Sequence, residues 1–415
     1  MDPDVLPFTP PFPSPEEHLN FSSCQVEEAE LLAPSMEVSA SLSVCGNIHQ
    51  ARYFPFWTDV LKCGDWHKNI KLDFLDGILP SSYDERNNLS ARREPAFVRD
   101  SLDSMASSGI IDQVFIKPIC VNPLTVAFRE LDTGSKKLRL CWDGSRWINP
   151  MLKKMSVKLS HFPKAAELLY EGDYQVSMDL KSFYYHLMIF PAHRLYLGIA
   201  ADLPDGSRRF YQYTVLPFGL APAAAIMTRL VKPILAYLAS LGIRASIYLD
   251  DLKINASTKA LAWEHYQMTR DVFLRAGFVI SVEKSDEFSD ISQQKMYLGF
   301  IMDSVKMTAA ASDAKLNSVS SFIREKLSFS RISIKDLAKI AGRLAALRPA
   351  FGYLVLLVTR YAYSAIEMHV DRFGWSGYLS LSEDIIRELN LFLDYAPVLY
   401  SFSYRHIAIS SIKPV

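Results

Sequence analysis

The stretch "IYLDDLKI", residues 247–254, sets two adjacent carboxylates, Asp250 and Asp251, inside an apolar run. This constrains the fold more than any other feature, because a charge carried out of water without a partner is expensive. Two solutions exist. Asp is a common turn residue, so the pair can mark a hairpin turn that keeps both carboxylates wet. Alternatively, the hairpin tip presents them to a divalent metal. The string is too short to decide alone.

A third carboxylate lies upstream. "DYQVSMDLKSFYYHLMI", residues 173–189, alternates at period two, with Val176, Met178 and Leu180 on one face and Gln175, Ser177 and Asp179 on the other. Read as a strand through residue 250, "RASIYLD" sends Ile247 and Leu249 one way and Ser246, Tyr248 and Asp250 the other. Each strand then offers one Asp on a polar face. Mg²⁺ takes one or two carboxylates and completes its octahedron with phosphate oxygens and water, and two such ions clamp an in-line phosphoryl transfer. The residues alone lead to metal-dependent phosphoryl transfer, leaving polymerase, nuclease and cyclase chemistry open.

Composition narrows the surroundings. The 415 residues are 49% hydrophobic with formal net charge +0, which is ordinary globular composition with room for two or three domains. Neutrality gives no global electrostatic case for nucleic acid, so any such case is local. Five scattered cysteines without a CxxC pair argue against a zinc knuckle or disulfide framework and fit a reducing compartment. The acidic, Pro-rich start does not read as a secretory signal, apolar runs such as "YLVLLV" are short for a bilayer, and no membrane role is expected. The sequons at Asn88 and Asn255 are then accidental.

Along the chain, residues 1–50 read as a disordered leader. Residues 94–112 read as a helix ended by Gly109. Residues 122–149 read as two strands joined by a turn at Asp132–Ser135. Asp132-Thr133-Gly134 also matches an aspartic-protease triplet, but its lead-in "FREL" is not an apolar strand and turn chemistry accounts for it. Residues 215–242 read as a turn and a helix kinked at Pro233, and a second helix ends at Gly277. In "SIKDLAKIAGRLAALRPA" Ser333 is a candidate N-cap with Asp336 three residues on. Leu337, Ile340, Ala341, Leu344 and Leu347 make its apolar stripe, and Lys335, Lys339, Arg343 and Arg348 its basic side. That side is either solvated or a nucleic-acid backbone contact. The order predicts an α+β sheet covered by helices on one side.

Six blocks, in order, resemble the reverse transcriptases of retroelements: "NPLTVAFRE…KKLRLCWDGSRWIN", "VSMDLKSFYYHLMI", "VLPFGL", "IYLDDLKI", "VEKS" and "YLGFIMDS". The resemblance covers roughly residues 53–394 and is nearest the DIRS-type retrotransposons, which pair a reverse transcriptase with a tyrosine recombinase. It implies a right-hand polymerase of fingers, palm and thumb with an antiparallel palm sheet backed by helices. The implied division is fingers and N-terminal region at 51–170, palm at 171–304 with a fingers part at 185–215, thumb at 305–350, and a helical connection-like tail at 351–415. The implied activity is RNA-directed DNA synthesis. A glycine before the Asp pair, usual in RNA-templated RNA polymerases, is absent, since Leu249 stands there.

The family's roles carry over by position. Asp179, Asp250 and Asp251 would bind two Mg²⁺ ions (Mn²⁺ as substitute) with the Leu180 carbonyl assisting, and Lys284 would protonate departing pyrophosphate. Arg139, helped by Lys137, would meet the incoming triphosphate. Tyr184 would be the steric gate against a ribose 2′-OH, Phe218 and Gly219 would lie against the templating pair, and Leu298-Gly299 would be the primer grip. The implied partners are an RNA template, a DNA or RNA primer and dNTPs, within the cytoplasm or nucleus. Ribonuclease H and recombinase functions would lie elsewhere in the element. Three departures stand out: Phe183 beside the gate, the helix block "GLAPAAAIM" with Met227 in place of Phe, and an end at Val415, about where a ribonuclease H domain would begin. They raise the alternative of a catalytically silent relic that keeps the fold and binds nucleic acid.

Overall fold

The computed structural model describes residues 44–64, 68–130, 136–157, 162–397 and 401–403. The expected turn at Asp132–Ser135 and most of the expected leader lie outside these residues. The leader's last part is a correction. Residues 44–50 are packed: the Asn47 side-chain amide donates to the Gly277 carbonyl at 2.8 Å, and Ile48 is fully buried. Gly277 has φ +88°, and a Cβ there would meet Tyr53 Cδ2 at 2.9 Å, so this helix end is shaped to receive the segment.

Strands β1 (Leu124–Glu130) and β2 (Lys136–Trp142) form an antiparallel hairpin from Leu124 opposite Trp142 to Glu130 opposite Lys136. Pleating divides it: Val126 and Phe128 share one face with Leu138 and Leu140, whereas Lys137, Arg139 and Cys141 share the other with Ala127. Beside it, segments 83–84, 120–121, 198–202, 208–213 and 111–114 make a five-stranded sheet in that order, covered by helix α1 (Pro95–Ser107).

The site rests on a smaller sheet. Strand β3 (Tyr174–Asp179), β4 (Arg244–Tyr248) and β5 (Asp251–Ala256) pair antiparallel in the order β3-β5-β4. Val176, Met178, Leu252 and Ile254 are buried, while helices α2 (Ala223–Ser240) and α3 (Lys259–Arg275) pack on the sheet. Helix α2 continues through Pro233 as one element. By length and composition it is the one helix among the described residues able to cross a membrane; here it covers the sheet with Ile226, Leu230, Ile234 and Leu238 buried.

Strands β6 (Gln294–Tyr297), β7 (Phe300–Asp303) and β8 (Thr308–Ala311) form a second antiparallel sheet, joined by 401–403. Helices α4 (Asp313–Leu327), α5 (Ile334–Ala345), α6 (Arg360–Phe373) and α7 (Glu383–Tyr395) share one hydrophobic core with it. The predicted apolar stripe of α5 is fully buried. Ser333 caps it, accepting the Asp336 N–H at 3.0 Å. Three residues of the basic side meet groups of the chain: Lys339 donates to Asp336, Arg343 covers the Phe322 ring at 4.1 Å, and Arg348 covers Tyr353 at 4.7 Å, while Lys335 is exposed.

Candidate active site

Strand β5 begins at Asp251, which lies opposite Asp179 of β3 and opposite Tyr248 of β4. Leu249 and Asp250 are therefore the two-residue loop of the hairpin, not strand positions. This corrects the alternation expected through residue 250: the cross-strand partner of Asp179 is Asp251. Asp250 joins from the turn, its carbonyl accepting the Leu180 N–H at 2.9 Å. Leu249 has φ +57°, a left-handed conformation that costs a residue with a Cβ about 1 kcal/mol.

Three carboxylates thus crowd one strand end, and their acidity reflects it. Burial, then the Asp250 and Asp179 charges, push the Asp251 carboxyl up to about 7. Asp179 is also raised, chiefly by burial, with Asp250 adding and Lys284 opposing. Lys284 Nζ stands 3.3 Å from Asp179 Oδ1 on a mostly exposed side chain. Lys253, on the Asp251 face of β5, is fully buried against Met302 Sδ at 3.1 Å, and burial brings its pKa down to about 7. The signal for it was a lone lysine in "LKI".

Among the described residues no group of three or more His, Cys, Asp or Glu side chains closes into a metal cage. Like charges repel without a cation, and Mg²⁺ needs only one or two carboxylates when phosphate and water complete its shell. The all-oxygen donors Asp179, Asp250 and Asp251, with the burial and like charge that push the Asp251 carboxyl up to about 7, fit a hard divalent cation.

After Asp179 the strand stops. Ser182 has φ +48°, and a 3₁₀ turn, Phe183–His186, follows. Breaking the alternation brings Tyr184 toward the carboxylates: the Asp250 and Tyr248 groups add to burial in raising its pKa. The Tyr184 ring meets Phe218 edge-on at 4.5 Å, and Phe218 also meets Tyr185 at 5.3 Å. Phe183 is buried, stacked with Phe278 at 6.0 Å, and its ring also lies 5.7 Å from that of Tyr184. His186, missed from sequence, fixes this turn. Its Nε2 accepts the Val279 N–H at 3.0 Å and Nδ1 faces the Phe183 carbonyl at 3.2 Å. Complete burial holds the ring neutral, with its pKa down to about 4.

The Phe218-Gly219 loop abuts the base of the β1–β2 hairpin. Gly219 has φ +97°, and a Cβ there would lie 2.7 Å from the Trp142 carbonyl oxygen. Asn149 clasps the loop, donating to the Gly219 carbonyl and accepting from the Ala221 N–H, each at 2.8 Å. Lys137 and Arg139 are exposed higher on the hairpin, on the same face as Cys141, which is close enough to Tyr185 to affect its ionisation. Leu298 and Gly299 form the two-residue β6–β7 turn, with φ +53° and +77°. Lys315 Nζ donates to the Leu298 carbonyl at 3.3 Å and covers the Phe300 ring at 3.8 Å.

Residues 131–302 match the family model for reverse transcriptase (RNA-dependent DNA polymerase). The matched span holds every residue of the carboxylate cluster. Solved structures of the foamy viral protease-reverse transcriptase are similar. The complex with RNA/DNA hybrid superposes with a TM-score of 0.60 at 15% identity, covering 81% of this chain and 41% of that one. Complexes with double-stranded DNA give 0.59 at 15% identity, covering 81% and 63%, and 0.57 at 16% identity, covering 77% and 50%. The chain therefore spans between 41% and 63% of the length of these relatives. No curated protein sequence matches it. The architecture is that of a reverse transcriptase, an α+β right-hand polymerase fold.

Proposed function

We propose that this protein is an RNA-directed DNA polymerase of a retrotransposon, extending a primer 3′-OH with dNTPs on an RNA template. The observation that carries the reading is the Asp179–Asp251 pairing across β3 and β5, with Asp250 in the adjoining turn. Asp179, Asp250 and Asp251, with the Leu180 carbonyl, would hold two Mg²⁺ ions, which Mn²⁺ could replace. Bound there, the ions lower the pKa of the primer hydroxyl and stabilise charge on the phosphoryl oxygens.

The chain's own groups supply the rest. Lys284, already beside Asp179, would donate a proton to the departing pyrophosphate. Arg139, helped by Lys137, would meet the triphosphate oxygens from the fingers hairpin, the guanidinium as a fork and the ammonium as a point charge. Tyr184 closes the sugar side against a 2′-OH, Phe218-Gly219 backs the templating pair, and Leu298-Gly299 steadies the primer end.

The "NPLTV", "RASIYLDD" and "DLAKIAGRLAALRPAFG" blocks support a DIRS-type origin with a recombinase encoded elsewhere in the element, and the reading assigns its work to the cytoplasm or nucleus. Primer extension on a homopolymeric RNA template, with and without Mg²⁺, tests the activity. Metal-dependent incorporation lost in Asp250→Asn supports it. Primer–template binding without incorporation by the natural chain would identify a silent relic.

A further inference from the structure

Strand β3 is the edge of its sheet, and the partners of its outer edge can be counted. The carbonyls of Gln175, Ser177 and Asp179 accept from the backbone N–H groups of Ser292, Asp286 and Ser281. The outer N–H groups of Gln175 and Lys181 donate to the backbone carbonyls of Ser292 and Val279. The two between them do not meet backbone. The Ser177 N–H donates to Asp286 Oδ2 at 2.5 Å, and the Asp179 N–H donates to Ser285 Oγ at 3.0 Å.

The segment from 279 to 292 is too long to run as a strand beside seven residues of β3 and its continuation. It bulges, and side chains replace the missing carbonyls. The bulge thereby fixes three consecutive residues against β3: Lys284 on the Asp179 carboxylate, Ser285 on the Asp179 amide and Asp286 on the Ser177 amide. Asp286 has a second anchor, since Lys295 Nζ lies 2.6 Å from its Oδ2 with both side chains largely buried. Lys295 belongs to β6, the strand that leads into the Leu298-Gly299 turn. Without these anchors, the long exposed side chain of Lys284 would be spread over many rotamers.

We infer that Ser285 and Asp286 are positioning residues that hold Lys284 against Asp179, with Lys295 tying their loop to the strand that leads to the primer-grip turn. The inference rests on the polymerase reading for its catalytic consequence but not for its geometry. Two measurements on the full chain separate the two.

The first needs no activity. After reductive ¹³C-methylation, the Lys284 signal is identified by its loss in Lys284→Arg. Asp286→Ala should move that signal to the position it takes in Asp179→Asn, because both changes separate the ammonium from the carboxylate. An unmoved signal would overturn the inference. The second is single-turnover nucleotide incorporation. Asp286→Ala and Lys295→Met should each slow the maximal rate about tenfold, with KM for dNTP within about twofold. Added to Lys284→Ala, Asp286→Ala should cost nothing more, as expected of groups acting through one another. Independent, multiplying losses would reduce Ser285 and Asp286 to a structural role and overturn the inference. If Asp286→Ala fails to fold, Ser285→Ala, which removes the hydroxyl that accepts the Asp179 N–H, replaces it with the same expected and overturning outcomes. A natural chain that incorporates nothing would sink the polymerase reading, while the methyl signal would still decide the positioning.

Discussion

Two hairpins in this molecule use nearly the same turn for different ends. "YLDD" at 248–251 and "YLGF" at 297–300 each pair the strand-ending Tyr with the fourth residue, leaving a two-residue loop. Both begin the loop with a left-handed Leu, at φ +57° and +53°. They part at the second loop residue. Gly299 is left-handed too, at +77°, which gives the doubly left-handed turn that matches strand twist. Asp250 is not left-handed. The first hairpin, left-handed at one loop position, sets a carboxylate at its tip, while the second, left-handed at both, is braced by Lys315.

The most direct way to break the comparison is Asp250→Gly, which turns the first loop into the second. Incorporation should fall by about a thousandfold or more while the melting temperature holds or rises. Retained incorporation would mean that Asp250 is only a turn residue. Next is Tyr184→Ala, which should raise ribonucleotide use relative to deoxyribonucleotide use by roughly a hundredfold. Competing single-nucleotide incorporation reads the ratio, and because the Phe183 ring lies 5.7 Å from that of Tyr184, the Phe183→Gly, Tyr184→Ala double variant is measured beside it.

The fourth turn positions, Asp251 and Phe300, should differ in their response to pH. The Asp251 pKa, about 7 when folded, lies above its unfolded value, so the folded state holds the proton more tightly. That contribution is complete below about pH 4 and is lost as pH rises through about 7. Without divalent ions, Asp251→Asn should therefore match the natural chain at pH 4 and exceed it at pH 8 by roughly 2 kcal/mol in urea unfolding. A constant difference across that range would mean that the carboxylate cluster does not strain the fold. The smallest effects belong to the second turn. Gly299→Ala should destabilise by about 1–2 kcal/mol, because the left-handed backbone and Lys315, 3.3 Å from the added Cβ, both resist it. Leu298→Gly should stay within about 1 kcal/mol of neutral by the same measurement, relief of a strained φ being offset by a freer unfolded chain.

Much of the site was legible because its residue types repeat a local rule. The β3 alternation, the apolar stripe of α5 and its Ser333 cap all depend on neighbours a few positions away. The error at Leu249 has the same origin. Continuing period two through residue 250 assumed a strand, and a two-residue loop leaves no mark in alternation. Residues 44–50 looked like leader because their partners, Gly277 and Tyr185, are far away in sequence.

What the sequence determined by itself was the set of chemical possibilities: carboxylates inside apolar strands, an aromatic after the first, and helices enough to cover the sheet. These follow from residue type and spacing, which the chain carries locally. Tertiary structure decided the rest. It paired Asp251 rather than Asp250 with Asp179, stacked Phe183 on Phe278 while setting Tyr184 edge-on to Phe218, and gave Asn149 the Phe218-Gly219 loop to hold. It also let Ser285 and Asp286 stand in for a missing strand. Each of these joins segments distant in sequence, and such partners are chosen by which buried polar groups remain unpaired once the core has closed.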